Sequence, residues 1–262
     1  MARPWAVVTG ASSGLGADFA RQLVERGWNV VLSARRAERL AALAASLQAK
    51  GAEAVVAACD LQQPEGREQL WQTATANGRQ LTLWINNAGF GGLTAFADAD
   101  WSQWQGMIEL NVTALTELSW RFARHAKAHG QRAWLLQVAS VGAWLPTPYM
   151  SVYTATKSYV RDFTNALSVE LAGSALSCHV VCPGPTRTEF IDVAAMTVPK
   201  GTDFAFMDSV PVVRDALDAM FAGKVTRVSG LMNRLTCAVS NLAPGTLVAR
   251  VATLTVGKPA RK

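Results

Sequence analysis

Thr9-Gly10-Ala11-Ser12-Ser13-Gly14-Leu15-Gly16 is the stretch that decides the fold. It follows the apolar, β-branched run Trp5–Thr9 and opens a helical pattern over Gly14–Arg26. The missing side chains at Gly10, Gly14 and Gly16 let backbone approach an anion at the helix N-terminus, where unpaired N–H groups favour negative charge. Ser12, Ser13 and Leu15 share that approach. The spacing is G-x-x-x-G-x-G, which is neither the G-x-G-x-x-G fingerprint nor a P-loop. A glycine-rich turn alone makes only a tight connection. Its place in the first strand–helix unit points to the pyrophosphate of a dinucleotide.

The alternation continues along the chain. Strands read at Asn29–Ser33, Ala54–Ala58, Leu81–Ile85, Ala133–Ala139 and Ser177–Cys182, with a seventh at Val225–Ser229. Helical periodicity lies near Ala37–Lys50, Pro64–Asn77, Trp101–His129, Val152–Ala172 and Val212–Ala222. Strands this apolar, separated by helices, predict a parallel sheet covered on both faces. Right-handed crossovers make it a doubly wound α/β fold, expected as one domain over residues 1–262. Two segments leave the pattern. Residues 185–210, with Phe190, Met196, Pro199, Gly201, Phe204, Phe206 and Met207, show no clean period and are expected to cover a site. Residues 231–256 read as two short helices broken at Pro244–Gly245, the first with Leu231, Leu235, Val239 and Leu242 on one face.

With 262 residues, 50% of them apolar, the chain is long enough to bury one large core. The net charge of +6 is spread out. The basic stretch Arg121–Arg132 reads as a helix end whose cations meet the negative end of the dipole, so no nucleic-acid partner is expected. Cys59, Cys178, Cys182 and Cys237 show no C-x-x-C pair and no Cys/His cluster, which argues against a metal site or a disulfide framework. Met-Ala-Arg-Pro runs straight into a strand, and the longest uncharged apolar run, Leu235–Ala249, is short for a bilayer. A cytoplasmic protein is expected.

The end of the second strand, Ser33-Ala34-Arg35-Arg36, carries no carboxylate before Glu38. A ribose 2′-hydroxyl would be met there by an acid, a 2′-phosphate by a guanidinium. Arg35 is the expected phosphate contact and Arg36 the start of the next helix, so the cofactor reads as NADP(H) rather than NAD(H). Asp60, with Leu61 beside it, either accepts a hydrogen bond from an adenine amino group or caps the turn ahead of Pro64. Asn87, Ala88 and Gly89 suit a turn passing close to the cofactor. Tyr153 and Lys157 lie four residues apart, so a phenol and an ammonium share one helix face. The cation, together with the positive end of a nicotinamide, is expected to draw the phenol below its ordinary pKa of ~10, making Tyr153 a usable proton carrier.

These residues together resemble the short-chain dehydrogenase/reductase family in its single-domain form. The match runs from Thr9 to about Thr188: T-G-A-S-S-G-L-G, Asp60, N-N-A-G at Asn86 to Gly89, Asn111, Ser140, Tyr153/Lys157 and P-G-P-T at Pro183 to Thr186. The order is the specific feature, with Ser140 thirteen residues before Tyr153. The resemblance implies a Rossmann-type sheet of seven strands, in the order 3-2-1-4-5-6-7, and a homodimer or homotetramer joined through the two long helices. It implies Tyr153 as general acid or base, Lys157 on the nicotinamide ribose, Ser140 on the substrate oxygen, and Asn111 anchoring a water behind the lysine. Pro183 and Gly184 would back the nicotinamide, and Thr186 and Thr188 would bind its carboxamide or the pyrophosphate. Ser13 stands where some NADP-dependent relatives carry a basic residue, which places more of the phosphate recognition on Arg35. The segment past Ser229 extends beyond the shared pattern.

Trp144 and Phe190, close in sequence to these motifs, are the expected substrate contacts beside Ser140 and Tyr153, with Phe90, Leu145, Tyr149, Phe204 and Phe206 as further candidates. The reading is a hydride transfer between nicotinamide and a hydrophobic ketone, aldehyde or secondary alcohol. A non-catalytic NADP(H)-binding or sensing protein is the alternative on the same fold. A serine hydrolase built on Ser140 or Ser151 with His179 lacks a G-x-S-x-G elbow. Contact of residues 231–256 with a membrane surface is a further alternative; packing over the substrate mouth or in a subunit interface is the preferred expectation.

Overall fold

The computed structural model describes residues 3–190 and 206–256. Seven strands, β1 (Trp5–Thr9), β2 (Asn29–Ala34), β3 (Ala54–Ala58), β4 (Leu81–Asn86), β5 (Ala133–Val138), β6 (Leu176–Cys182) and β7 (Thr226–Val228), form one sheet in the order β3-β2-β1-β4-β5-β6-β7. Every pairing is parallel. The fold class and strand order are those expected from the sequence, and the predicted strand limits differ from the observed ones by a residue at most at either end.

Strand alternation divides the core into two layers. Ala6 and Val8 of β1 join Phe19, Leu23, Leu40 and Leu217 on one face, and Trp5 and Val7 join Trp84, Phe122 and Leu70 on the other. The first layer lies under α1 (Gly14–Glu25), α2 (Ala37–Gln48) and α7 (Ser209–Phe221). The second lies under α3 (Pro64–Thr75) and α5 (Leu115–His129), which follows α4 (Trp101–Ile108) and precedes α6 (Ser151–Glu170). Gly130 ends α5 in the left-handed region at φ 65°. Lys127 sits in its last turn, where a cation complements the dipole. Two further helices, α8 (Leu231–Ser240) and α9 (Gly245–Val256), break near Pro244 as expected.

One long element departs from expectation. The helical pattern over 101–129 is interrupted by a π-turn at Glu109–Ala114. At its centre lies Asn111, fully buried, whose side chain binds outside its own helix. Widened turns of this kind recur at functional sites. Of the expected cover at 185–210, the positions Met196, Pro199, Gly201 and Phe204 lie outside the described residues.

The largest fully buried side chain is Trp84, whose indole donates to Asn86 Oδ1 at 2.8 Å. Trp84→Ala is expected to destabilise the protein by ~3–5 kcal/mol, because the neighbouring helices cannot close the cavity. Chemical denaturation checks this.

Candidate active site

The glycine loop sits at the carboxyl edge of β1, and its geometry follows from close backbone packing. A Cβ at Gly16 would lie 2.2 Å from the Gly10 carbonyl oxygen, and one at Gly10 would lie 2.9 Å from Ala88 Cα. Gly10 and Gly14 hold φ of +68° and +51°, where L side chains are strained. Asn87 fastens this loop to the end of β4. Its Nδ2 donates to the Thr9 carbonyl at 2.9 Å, and the Asn87 and Ala88 amides both donate to Thr9 Oγ1 at 3.0 Å. Ser13 precedes α1 without a side-chain cap, and the first turn holds no acid. A cradle that side chains would fill, opening on uncapped N–H groups, fits a pyrophosphate.

Four expected catalytic residues converge beyond β4 and β5. Tyr153 and Lys157 are both buried in the first two turns of α6. Lys157 Nζ donates to the Val138 carbonyl at 2.9 Å and lies 5.8 Å from the Tyr153 ring centroid. Ser140 follows β5 and accepts from the Gly142 amide at 3.0 Å, and its hydroxyl pulls the pKa of the Tyr153 phenol down. It caps a turn beside the phenol. Asn111 donates to the Phe90 carbonyl at 3.0 Å and to Thr156 Oγ1 at 3.1 Å, and accepts from the Phe90 amide at 3.1 Å. A Cβ at Gly89 would meet Asn111 Oδ1 at 2.9 Å and Lys157 Nζ at 3.3 Å. Asn111 thus packs behind the lysine across one glycine.

At the end of β2 both Arg35 and Arg36 are exposed, and Arg36 lies over the glycine loop. Its guanidinium donates to Ser12 Oγ at 2.9 Å, to Ser13 Oγ at 2.8 Å and to Glu189 at 2.7 Å. Arg39 reaches the other Glu189 oxygen at 2.5 Å. These two guanidiniums hold the Glu189 carboxyl down to about 2. Arg36 starts the next helix as expected, and it also binds the glycine loop. Glu189 was not anticipated, and no local spacing marks it, since it lies 153 positions from Arg36. Asp60 accepts from the Gln62 amide at 3.1 Å, its turn-capping alternative, and Leu61 is buried in the core.

On the substrate side Phe190 packs on Tyr153 with ring centroids 5.4 Å apart. Phe90 and Tyr149 join the same cluster, together with Leu93, Trp104, Met107 and Met150, which the sequence did not single out. Their positions are brought together from three separate segments. Trp144 lies instead in a neighbouring cluster with Val160 and Cys182, under the Arg161 guanidinium at 4.9 Å. Thr186 donates to the Gly184 carbonyl at 2.9 Å, and Thr188 faces Gly14, where a Cβ would be 3.0 Å away.

The family model described as short chain dehydrogenase matches residues 4–196. The chain belongs to the short-chain dehydrogenase family. It is 28% identical to sulfoacetaldehyde reductase 2 of Chromohalobacter salexigens over 231 residues, 87% of this chain and 91% of that one. It is 30% identical over 181 residues to a very-long-chain 3-oxoacyl-CoA reductase of Pyricularia oryzae, covering 68% of this chain but only 54% of the fungal protein. The chain thus spans about half the length of that relative. A short-chain dehydrogenase from Sphingobium yanoikuyae, solved in complex with NADPH, superposes with a TM-score of 0.81 at 30% identity, over 91% of this chain and 94% of that one.

The electrostatics of this short-chain dehydrogenase separate the lysine's effect from that of a nicotinamide's charge. In the protein alone Lys157 does not bring Tyr153 below its ordinary pKa. Burial pushes the phenol up to about 12, outweighing the downward pull of the Ser140 hydroxyl. The same burial draws Lys157 down to about 8. Desolvation penalises whichever form is charged, and at 5.8 Å from the ring the ammonium does not offset it. Added positive charge is needed to produce the phenolate. The chain has three tyrosines. In a stopped-flow pH jump read at 295 nm, before unfolding, the phase absent from Tyr153→Phe should titrate above pH ~11 and move downward with oxidised dinucleotide present. A Tyr153 phase near pH ~10 in the protein alone would overturn this account.

Proposed function

We propose that the chain is an NADP(H)-dependent oxidoreductase that interconverts a hydrophobic ketone or aldehyde and its alcohol. The observation that carries this reading is the convergence of Ser140, Tyr153 and Lys157 beside an uncapped glycine cradle, with Phe190 against the phenol. A bound nicotinamide dinucleotide would supply or accept the hydride. Gly10, Gly14 and Gly16 would admit its pyrophosphate to the α1 N-terminus, with Asn87 keeping the loop in place. Ser140 would orient the substrate oxygen, and Tyr153 would give that oxygen a proton in reduction or take one in oxidation. Lys157, held by the Val138 carbonyl and backed through Gly89 by Asn111, would sit where it can bind the ribose and favour the phenolate.

The 2′-phosphate reading rests on three guanidiniums between the end of β2 and the first turn of α2. Arg36 and Arg39 hold an anion, Glu189, and Arg35 is exposed beside them. A phosphate on these groups would make paired, charge-assisted hydrogen bonds and replace Glu189 as their partner. The NADPH complex of the Sphingobium relative supports the same preference. The names of both curated relatives describe carbonyl reductions, one of a small anionic aldehyde and one of a long acyl chain. The apolar cluster of Phe90, Leu93, Tyr149 and Phe190 around Tyr153 favours the apolar class. Exposed Trp120 on α5 and Tyr159 and Val169 on α6 support a homo-oligomer joined through these helices.

A panel of carbonyl compounds with NADPH should reveal turnover on bulky apolar ketones or aldehydes. Tyr153→Phe should lower kcat/KM by ~10²–10⁴-fold while leaving dinucleotide affinity unchanged. A protein that merely binds the dinucleotide would show the affinity without any turnover. In fluorescence titrations Arg36→Gln should weaken NADPH by about tenfold or more and NADH little, since a hydrogen bond to a charged group contributes ~1.5–3 kcal/mol. Glu189→Gln should tighten NADPH alone. NADH binding as well as NADPH, with neither substitution separating them, would remove the phosphate assignment.

A further inference from the structure

Helix α8 rests on the carboxyl edge of the sheet by one face. Asn233 Nδ2 donates to the Ser229 carbonyl at 2.7 Å and lies so close to Gly184 that a Cβ there would be 2.2 Å away. Cys237, one turn on, is buried. The opposite face is apolar and bare. Leu231, Leu235, Val239 and Leu242 follow at helical spacing on α8 and just past it, and Leu247 and Val251 repeat the pattern on α9; all six are 51% to 88% exposed. Single exposed leucines are ordinary, but a contiguous row marks a contact surface.

Charge identifies the occupant. From Ala219 to Lys262 there is no aspartate or glutamate, while Lys224, Arg227, Arg234, Arg250, Lys258, Arg261 and Lys262 are basic. Arg234 and Arg250 are exposed, and by helical spacing each falls beside the apolar row. Arg234 donates its Nε to the Val228 carbonyl at 3.0 Å rather than to a carboxylate. A second copy of the chain across a twofold axis would bring these like charges together. An anionic lipid surface satisfies both halves of the pattern, taking the apolar row below its headgroups and the arginines among them. The two helices have 10 and 12 residues, roughly 15 and 18 Å, against a hydrocarbon core of ~30 Å. None of the described helices is long and apolar enough to cross a membrane. Helices of this length can lie in the interface plane but not cross the bilayer.

We propose that α8 and α9 dock the protein on an anionic lipid bilayer, with the carboxyl edge of the sheet, and the Tyr153 site on it, turned toward the membrane. This surface is separate from the hydride chemistry and stands without it. The full-length protein should pellet with vesicles of phosphatidylcholine mixed with phosphatidylglycerol and stay in the supernatant with phosphatidylcholine alone. Arg234→Gln combined with Arg250→Gln should weaken that partitioning by roughly thirtyfold, at about one kcal/mol for each basic group near the surface. Leu235→Ser with Val239→Ser should abolish it while leaving the thermal midpoint and the mass by light scattering unchanged. Pelleting with neither vesicle, or equally with both, would overturn the proposal. So would a serine variant that pellets normally but changes mass, because the occupant would then be a second copy.

Discussion

The structure turns on one close backbone contact, that of the first strand-to-helix turn with itself and with the end of β4. Gly16 approaches the Gly10 carbonyl more closely than any side chain would allow. Asn87 and Thr9 then tie that turn to the adjacent strand through a set of 2.9 to 3.0 Å hydrogen bonds. Because the α1 N-terminus is left uncapped, the contact produces both the packing of α1 on the sheet and a pole of unsatisfied N–H groups. Fold and binding geometry have the same origin here. Substitution of these glycines would move both at once.

Burial governs the other end of the crevice. The apolar edge that brings Tyr153, Lys157 and Phe190 together also removes water from them. Desolvation raises the phenol and lowers the ammonium, so both groups lean toward their neutral forms. Under the proposed function such a site is a proton donor held in reserve, whose ionisation would become favourable when further positive charge enters. The Val138 carbonyl and the Gly89–Asn111 contact keep the lysine directed while it is desolvated.

A second linkage runs along the outside. Glu189 lies one residue before Phe190, so the acid held by Arg36 and Arg39 and the ring against Tyr153 belong to the same short segment. Under the proposed function, a phosphate that displaced Glu189 from the two guanidiniums would act on the segment that carries Phe190. Gly14 and Thr188 close the distance between that segment and the glycine loop.

The sheet was legible in the sequence because buried parallel strands are short apolar runs and their connections are amphipathic helices, both local patterns. The glycine loop and the Tyr153–Lys157 pair were legible for the same reason, since their spacing within a few residues sets their geometry. Asn111 was visible as an oddity inside a helix, yet the π-turn around it and its contacts with Phe90 and Thr156 were not. Which arginine lies over the loop, where Glu189 goes, and which aromatics surround Tyr153 were decided only in three dimensions. These contacts join segments up to 153 positions apart. Even the sign of the Tyr153 shift was set that way: sequence shows the nearby cation, but the dryness that outweighs it comes from packing.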